Sequence, residues 1–97
     1  MPNDKLTKNI LIIGAGKAGQ LLEKDIRLNH PNCHVIGFVD DRSDSKNRKL
    51  LGQIQDTNKL TKLYRVDEMV IAIPSTDGQL VRRILMENMR NHVPIKI

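Results

Sequence analysis

Three glycines near the start of the chain have the spacing of a phosphate-binding loop. Gly14, Gly16 and Gly19 form the pattern Gly-x-Gly-x-x-Gly directly after the apolar run at residues 10–13. Gly14 would allow a sharp turn, Gly16 would let a pyrophosphate approach the backbone, and Gly19 would let a following helix pack closely. Free N–H groups and the dipole at the start of that helix favour an anion. The pattern therefore predicts a loop that binds the pyrophosphate of a nucleotide.

Residues near this loop would add backbone N–H groups, a positive charge and a carboxylate to such a site. Lys17 and Ala18 lie in the first turn of the predicted helix, where backbone N–H groups face the ligand and Lys17 adds positive charge. Asp40 lies 21 residues after Gly19, at the end of the second predicted strand. A carboxylate there can accept hydrogen bonds from ribose hydroxyls. The alternative interpretation of Asp40 is a polar strand end in a turn.

Two further segments bear on which nucleotide the site would take. Asp41 adds a second negative charge, which disfavours a 2′-phosphate, so the sequence favours NAD over NADP. Arg42 acts in the opposite direction, because a guanidinium could accommodate that phosphate. Pro74 and Ser75 follow the fourth predicted strand, and their loop should face the same crevice. Ser75 could contact the nucleotide or cap the next helix.

Hydrophobic patterning predicts alternating strands and helices that would position these residues. Apolar runs predict strands at residues 9–13, 34–39 and 68–73, a weak strand at 50–54 and the start of a last strand at 95–97. Helical periodicity predicts helices at 17–29, from 56 or 57 to about 64, and from 75–77 to about 91. The apolar positions expected to face the sheet are Ala18, Leu21, Leu22, Ile26, Leu60, Leu63, Tyr64, Leu80, Val81, Ile84, Leu85 and Met89. The polar run at 42–49 predicts an exposed loop.

This alternation with short connections predicts an α/β fold with a parallel sheet and right-handed crossovers. The expected architecture is a Rossmann-like three-layer fold of about four to five strands in the order 3-2-1-4-5. Its ligand crevice should lie where the order reverses, outside the carboxyl ends of the first and fourth strands. A length of 97 residues suits one domain. Because the last strand is cut off, we expect residues 1–97 to be a single domain from a larger protein.

Composition narrows the function classes. The net charge of +5 is spread along the chain, and one Phe, one Tyr and no Trp leave no aromatic-rich basic patch, so nucleic-acid binding is not predicted. No apolar run approaches the roughly 18 residues of a membrane span, and the N-terminus lacks a signal-peptide pattern. We therefore expect a cytoplasmic chain. The single cysteine, Cys33, fits a reducing compartment.

Neither a metal site nor a catalytic constellation is predicted. His30, Cys33 and His34 crowd together, but a metal site needs about four ligands and no second cluster completes one. Four positions after Tyr64 stands Glu68 rather than a lysine, so the Tyr-x-x-x-Lys pair of short-chain dehydrogenases is not formed. The chain is expected to contribute binding or regulation rather than proton-transfer residues.

Four segments together resemble the Rossmann-like domain of CapD-type polysaccharide-biosynthesis proteins, which are nucleoside-diphosphate-sugar epimerases and dehydratases. The segments are residues 10–20 (ILIIGAGKAGQ), 35–42 (VIGFVDDR), 69–75 (MVIAIPS) and 80–85 (LVRRIL). A similar module, often called CoA-binding-like, occurs in sugar transferases that initiate capsule and exopolysaccharide synthesis. The resemblance covers about residues 9–97. It implies a nucleotide site, with no catalytic residue, at Gly14, Gly16, Gly19, Asp40 and the Pro74-Ser75 loop.

Motif and resemblance together lead to an expected function. We expect the NAD(P)- or nucleotide-binding domain of a nucleoside-diphosphate-sugar epimerase or dehydratase in bacterial surface polysaccharide biosynthesis, with NAD favoured. The parent enzyme, anchored to the membrane or not, would use NAD(P) to take and return a hydride at the sugar. Two alternatives stay open: a regulatory module that senses a nucleotide or CoA for an attached sugar transferase, or a ligand-free homodimerisation domain with exposed methyl-rich helix faces. A Lys17 or Arg42 side chain folded into the crevice would favour dimerisation.

Overall fold

The computed structural model describes residues 7–42, 49–73 and 77–97. These residues form one parallel sheet with connecting helices. The strands are β1 (Lys8–Ile13), β2 (Cys33–Val39), β3 (Leu50–Gly52), β4 (Glu68–Ile71) and β5 (Ile95–Lys96). The helices are α1 (Lys17–Asn29), α2 (Thr57–Leu63) and α3 (Gly78–Glu87), and a 3-10 turn at Ile54–Asp56 leads into α2.

The strand order is β3-β2-β1-β4-β5 with parallel pairing throughout, which confirms the predicted Rossmann-like α/β fold. The central strand β1 pairs with β2 from Lys8 opposite Cys33 to Ile13 opposite Val39, and with β4 on its other edge. The order reverses between β1 and β4, so a crevice opens at their carboxyl ends. The edge strands are short, three residues in β3 and two in β5.

Each face of the sheet has its own hydrophobic core. The buried residues on the α1 face are Ile10, Ile12, Ala15, Ile26, Val35 and Phe38. Those on the face covered by α2 and α3 are Leu11, Ile13, Val39, Ile54, Leu60, Val66, Met69, Ile71 and Ile84. Because both faces of β1 are covered, its apolar run shows no polar alternation, as is typical of a central parallel strand. Burying each such side chain contributes about 1.5–3 kcal/mol.

The face of α1 that packs against the sheet differs from the predicted face. Gly19 and Ile26 are buried, whereas Leu21 is 58% exposed and Ala18 lies at the surface. The cause is Gly19, because a Cβ atom there would collide with the carbonyl oxygen of Gly14. That position must therefore face the loop and the sheet. The prediction that Ala18 and Leu21 face the core was wrong by a rotation of about one residue.

A buried polar network determines where α3 ends. The Asn88 side-chain amide donates to Thr57 Oγ1 at 2.9 Å and to the carbonyl of Ile84 at 2.8 Å. Thr57 Oγ1 in turn donates to the carbonyl of Ile54 at 2.9 Å. Buried polar groups need such partners, and the chain leaves helical geometry to supply them. The helix therefore ends at Glu87 and not near residue 91.

Four predicted core positions in α2, in α3 and just beyond these helices are exposed for the same reason. Thr57 and Asn88 take inward positions that periodicity assigns to apolar residues. The displaced side chains are Leu63, Tyr64, Leu85 and Met89, which are 68%, 38%, 42% and 73% exposed. The prediction from helical periodicity that these four side chains face the sheet was therefore wrong.

The remaining differences concern element ends. The weak strand predicted at 50–54 ends at Gly52, and Ile54 instead begins the 3-10 turn. The strand predicted at 68–73 ends at Ile71. Most of the predicted loop at 42–49 lies outside the described residues. Within the described ranges, every helix is too short or too polar to span a lipid bilayer.

Candidate functional site

The loop from Gly14 to Gly16 joins β1 to α1 at the carboxyl edge of the sheet. Gly14 has a φ of +117°, which residues with side chains rarely adopt, and its N–H donates to the Val39 carbonyl at 2.8 Å. A side chain at Gly14 would also collide with the carbonyl oxygen of Ala72. The ends of β1 and β2 and the residues after β4 thus meet at a position that only glycine fits.

The start of α1 is electrostatically open to an anion. Gly16 is the N-cap residue, no described side chain caps the helix, and no acidic residue lies in its first turn. The first backbone N–H groups of a helix lack intrahelical partners and carry positive partial charge. Lys17 and Ala18, both exposed, belong to this turn. The first turn of α1 therefore has the features of an anion-binding helix terminus.

Asp40 follows β2, and its side chain is hydrogen-bonded to the glycine loop. Its Oδ2 accepts a hydrogen bond from the Ala15 N–H at 2.9 Å, and its side chain is only 11% exposed. Burial raises the pKa of the Asp40 carboxyl. Hydrogen bonds from the Arg42 side chain, the Ala15 N–H and the Arg42 N–H, together with the charge of Arg42, outweigh burial and hold that pKa below its usual value. Asp40 is therefore a carboxylate at neutral pH.

The Arg42 side chain folds over the loop and binds Asp40. Its Nε lies 3.3 Å from Asp40 Oδ1 and its Nη2 lies 3.1 Å from Asp40 Oδ2, while its backbone N–H donates to Oδ1 at 3.0 Å. The same Nη2 is 2.9 Å from the point where a Cβ of Gly16 would lie. A guanidinium therefore occupies the approach to the backbone that Gly16 opens.

Asp41 points away from the loop and binds two other elements. Its Oδ1 accepts from the Ile54 N–H at 2.9 Å, and its Oδ2 accepts from Arg83 Nη1 at 2.7 Å. Asp41 thus connects the end of β2 to the 3-10 turn and to α3. Arg83 was not singled out from the sequence, since its contact with Asp41 spans 42 positions of the chain.

Two adjoining clefts open beside the Asp40–Arg42 pair. One, the glycine cleft, measures about 320 Å³ and is lined in part by Gly14, Gly16, Lys17, Ala18, Asp40 and Arg42. The other, the isoleucine cleft, measures about 300 Å³ and is lined in part by Val39, Asp40, Asp41, Ile54, Ile73 and Leu80. Gly14, Asp40, Arg42 and Ile73 border both. Each volume is at the lower end of the range for small-molecule sites, about 300–1,000 Å³.

The structure brings most of the sequence-predicted site residues together. Asp41 borders the isoleucine cleft, and Gly19 lies buried beneath the loop. The predicted residues that line the glycine cleft are Gly14, Gly16, Lys17, Ala18, Asp40 and Arg42. Pro74 and Ser75 lie outside the described residues. The N-cap residue of α3 is Asp77, whose Oδ1 accepts from the Leu80 N–H at 3.1 Å.

Sequence reasoning missed the apolar side of the site. Ile54, Ile73 and Leu80 line the isoleucine cleft, but each was assigned only to a strand or to a helix face. The one usable signal was the position of Ile73 at the carboxyl end of the fourth predicted strand, on the crevice side of the fold. Nothing in the local pattern around Ile54 distinguishes a cleft residue from a core residue.

No group of three or more His, Cys, Asp or Glu side chains in the described ranges could hold a metal ion. Cys33 is a half-buried free thiol at the start of β2. The clefts offer binding groups, namely the carboxylates of Asp40, Asp41 and Asp77, the cations of Lys17 and Arg42, and backbone N–H groups.

Comparisons with known proteins support this fold. UDP-D-quinovosamine 4-dehydrogenase from Vibrio fischeri superposes with a TM-score of 0.71 at 26% identity, over 92% of this chain and 75% of that one. RSP, a Rex-family repressor, gives a TM-score of 0.67 at 21% identity, over 86% and 42%. Its complex with β-NADH gives 0.62 at 22% identity, over 81% and 40%. The chain thus spans less than half the length of the repressor, and that likeness concerns the fold.

A family comparison covers almost the whole chain. No curated protein sequence matches it. The family described as CoA-binding domain matches residues 3–97. The chain therefore belongs to the CoA-binding domain family.

Proposed function

We propose that this chain is the NAD(P)- or nucleotide-binding domain of a nucleoside-diphosphate-sugar epimerase or dehydratase that acts in bacterial surface polysaccharide biosynthesis. The observation that carries the proposal is the 2.9 Å bond from the Ala15 N–H to Asp40 Oδ2. It holds a carboxylate beside the glycine loop, between two clefts at the point where the strand order reverses. We further propose that the domain works in the cytoplasm or at the cytoplasmic face of a membrane.

The residues around the clefts fit the parts of a dinucleotide. The pyrophosphate would lie over Gly16 at the start of α1, with Lys17 adding charge, and Asp40 would accept hydrogen bonds from a ribose. The isoleucine cleft, with Ile54 and Ile73 in its wall, suits an aromatic base. NAD(P), when bound, supplies the hydride acceptor and donor. This chain's residues bind and orient it.

Two comparisons support the choice of ligand and of reaction. The similar structure from Vibrio fischeri is a UDP-sugar 4-dehydrogenase, and the similar Rex-family repressor binds β-NADH. The Asp40 carboxylate beside the glycine loop favours NAD over a cofactor with a 2′-phosphate. Hydride transfer would belong to the parent protein, and this chain would bind the cofactor.

Calorimetric titration of the purified chain with NAD, NADP, CoA and UDP-sugars tests this proposal. Wild type should bind NAD, and Gly16→Val should abolish binding because the valine methyls occupy the phosphate approach. Gly78→Val is the matched control, since a Cβ at Gly78 meets no atom within 4 Å. It should bind NAD as wild type does. A folded wild-type chain that binds none of these ligands would contradict the proposal.

A ligand-free dimerisation domain is the second candidate, and two observations favour it. The Arg42 side chain is folded into the crevice, and Met86 and Met89 of the α3 region are 64% and 73% exposed beside an open groove of about 840 Å³. Sedimentation velocity tests this candidate. Wild type should form a dimer that Met86→Glu separates. A monomer at all concentrations would eliminate it.

A further inference from the structure

The open groove beside α3, here called the α3 groove, is larger than the two clefts together and separate from them. Its volume is about 840 Å³, against about 300 and 320 Å³ for the clefts. Asn58 of α2 lines it together with Gln79, Arg82 and Met86, which follow one another along α3 at intervals of three and four residues. That spacing places the last three on one face of the helix over about two turns. None of the described residues that line the α3 groove borders either cleft.

Two methionines give the α3 groove an apolar surface. Met86 and Met89 both line it, and they are 64% and 73% exposed. Grouped exposed apolar side chains mark interaction surfaces more often than single ones do. The flexible, polarisable methionine side chain adapts to apolar partners of different shapes. The α3 groove can therefore bury apolar side chains of a partner without changing the fold.

The same groove is basic. Arg82, Arg83 and Arg90 line it, and Glu87 is the one acidic side chain among its described lining residues. Arg83 is bound to Asp41 at 2.7 Å. Arg82 and Arg90 are exposed, and neither forms an ion pair with another residue in the described ranges. Carboxylates of a partner could therefore bind these two guanidinium groups without displacing an existing ion pair.

Charge also disfavours a second copy of this chain as the occupant. A symmetric dimer through this surface would place the basic side chains of one copy against the same side chains of the other. An asymmetric contact meets the same obstacle, since α1, α2 and α3 each contain more basic than acidic residues and the whole chain has a net charge of +5. Like charges brought together across an interface oppose association. The complementary partner is acidic and also has apolar side chains.

We propose that the α3 groove docks an acidic amphipathic helix of a partner protein. Apolar side chains of that helix would pack on Met86 and Met89, and its carboxylates would bind Arg82 and Arg90. A helix suits this surface because its side chains recur at the same intervals of three and four residues as those along α3. A nucleic-acid backbone would use the arginines but leave both methionines in water. This docking site is independent of nucleotide binding, because it uses none of the residues that line the clefts.

A titration followed by the backbone amide resonances of the isotope-labelled chain tests the proposal. The probe is a synthetic helical peptide of about 15 residues with leucines at i, i+3, i+4 and i+7 and glutamates beside them. It should bind with a Kd of about 100 μM and shift the resonances of residues 79–90 and of Asn58. The control peptide has lysine in place of every glutamate and should bind at least about tenfold more weakly. No binding of the acidic peptide up to about 1 mM would overturn the proposal.

Variants of the chain separate docking in the α3 groove from general attraction to a basic protein. Arg82→Glu and Met86→Ser should each weaken binding of the acidic peptide about tenfold, the first through charge and the second through lost apolar contact. Lys24→Glu is the matched control, because it makes the same charge change at an exposed position of α1. It should weaken binding by less than about threefold. Equal losses for Lys24→Glu and Arg82→Glu would overturn the proposal.

Two further measurements test the other occupants of the α3 groove. Self-association in sedimentation velocity that Met86→Ser abolishes would overturn the proposal, because a second copy would then occupy the groove. A single-stranded oligonucleotide, or vesicles of phosphatidylglycerol, that bound the same residues more tightly than the acidic peptide would overturn it as well. A monomeric chain that binds the acidic peptide most tightly supports the proposal.

Discussion

Two carboxylates at opposite ends of the sheet have similar burial and different surroundings. Asp40 follows β2 at the carboxyl edge, and its side chain is 11% exposed. Glu68 begins β4 at the amino edge, and its side chain is 10% exposed. Each pairs with basic side chains. Glu68 lies 3.5 Å from Lys8 of β1 and 3.2 Å from Lys96 of β5, so it connects three neighbouring strands.

The two carboxylates differ in where in the chain their basic partners come from. The lysines around Glu68 come from strands that the sheet itself holds in register. The guanidinium that binds Asp40 comes from the same loop, two residues along, and Asp40 borders two clefts whereas Glu68 borders neither. A carboxylate that bridges strands contributes to stability. A carboxylate with a local, exposed partner can exchange that partner for a ligand.

Gly19→Ala should have the largest effect, because it disrupts the backbone packing of α1 against the glycine loop at the carboxyl edge of the sheet. The added Cβ collides with the Gly14 carbonyl, and both groups belong to rigid backbone. We expect the free energy of unfolding to fall by about 3 kcal/mol. Urea unfolding followed by circular dichroism measures this, with Gly78→Ala as the control in open space. A loss below about 0.5 kcal/mol would show that the loop and helix can separate.

Asp40→Asn should show that the carboxyl-edge carboxylate serves binding. The amide cannot accept from the Ala15 N–H and bind a ribose or a guanidinium as a carboxylate does. We expect nucleotide affinity to fall about tenfold or more, measured by calorimetry. A variant that retains wild-type affinity would show that the Asp40 carboxylate does not contribute to nucleotide binding.

Glu68→Gln should show the reverse pattern. The substitution removes the charge between Lys8 and Lys96, whose side chains are 55% and 66% exposed and can be hydrated instead. We expect a loss of about 1 kcal/mol in the free energy of unfolding, measured in urea. Nucleotide affinity should stay within about twofold of wild type, because Glu68 is at the far edge of the sheet. A larger loss of affinity would mean that the two edges are coupled.

The pH dependence of stability that Asp40 contributes should be the smallest effect. The pKa of Asp40 is lowered in the folded state, so its contribution is fully present above its usual value of 3.8 and is lost as pH falls through the lower folded value. Unfolding of wild type and Asp40→Asn across this acid range measures it. The two stabilities should converge below pH 3.8. A constant difference would show that the Asp40 charge contributes nothing to folding.

The glycine turn and the strand–helix alternation could be predicted because their causes are local. Gly14 needs a positive φ and the strand–helix alternation follows from hydrophobic periodicity, both of which are properties of a short segment. The rotation of α1 could not be predicted, since apolar spacing placed Leu21 inward. The contact between Gly19 and the Gly14 carbonyl turned that helix, and this contact exists only in the folded chain.

The candidate site divides in the same way. The fold class, the glycine loop and the presence of a carboxylate after β2 follow from the sequence, because segment patterns and backbone sterics decide these. Three features became visible only in the folded chain: Arg42 binds Asp40, Asp41 binds Arg83, and the isoleucine cleft adjoins the loop. These features depend on the partners that each polar group finds when β1, β2 and α3 come together, and a partner 42 residues away leaves no local signal.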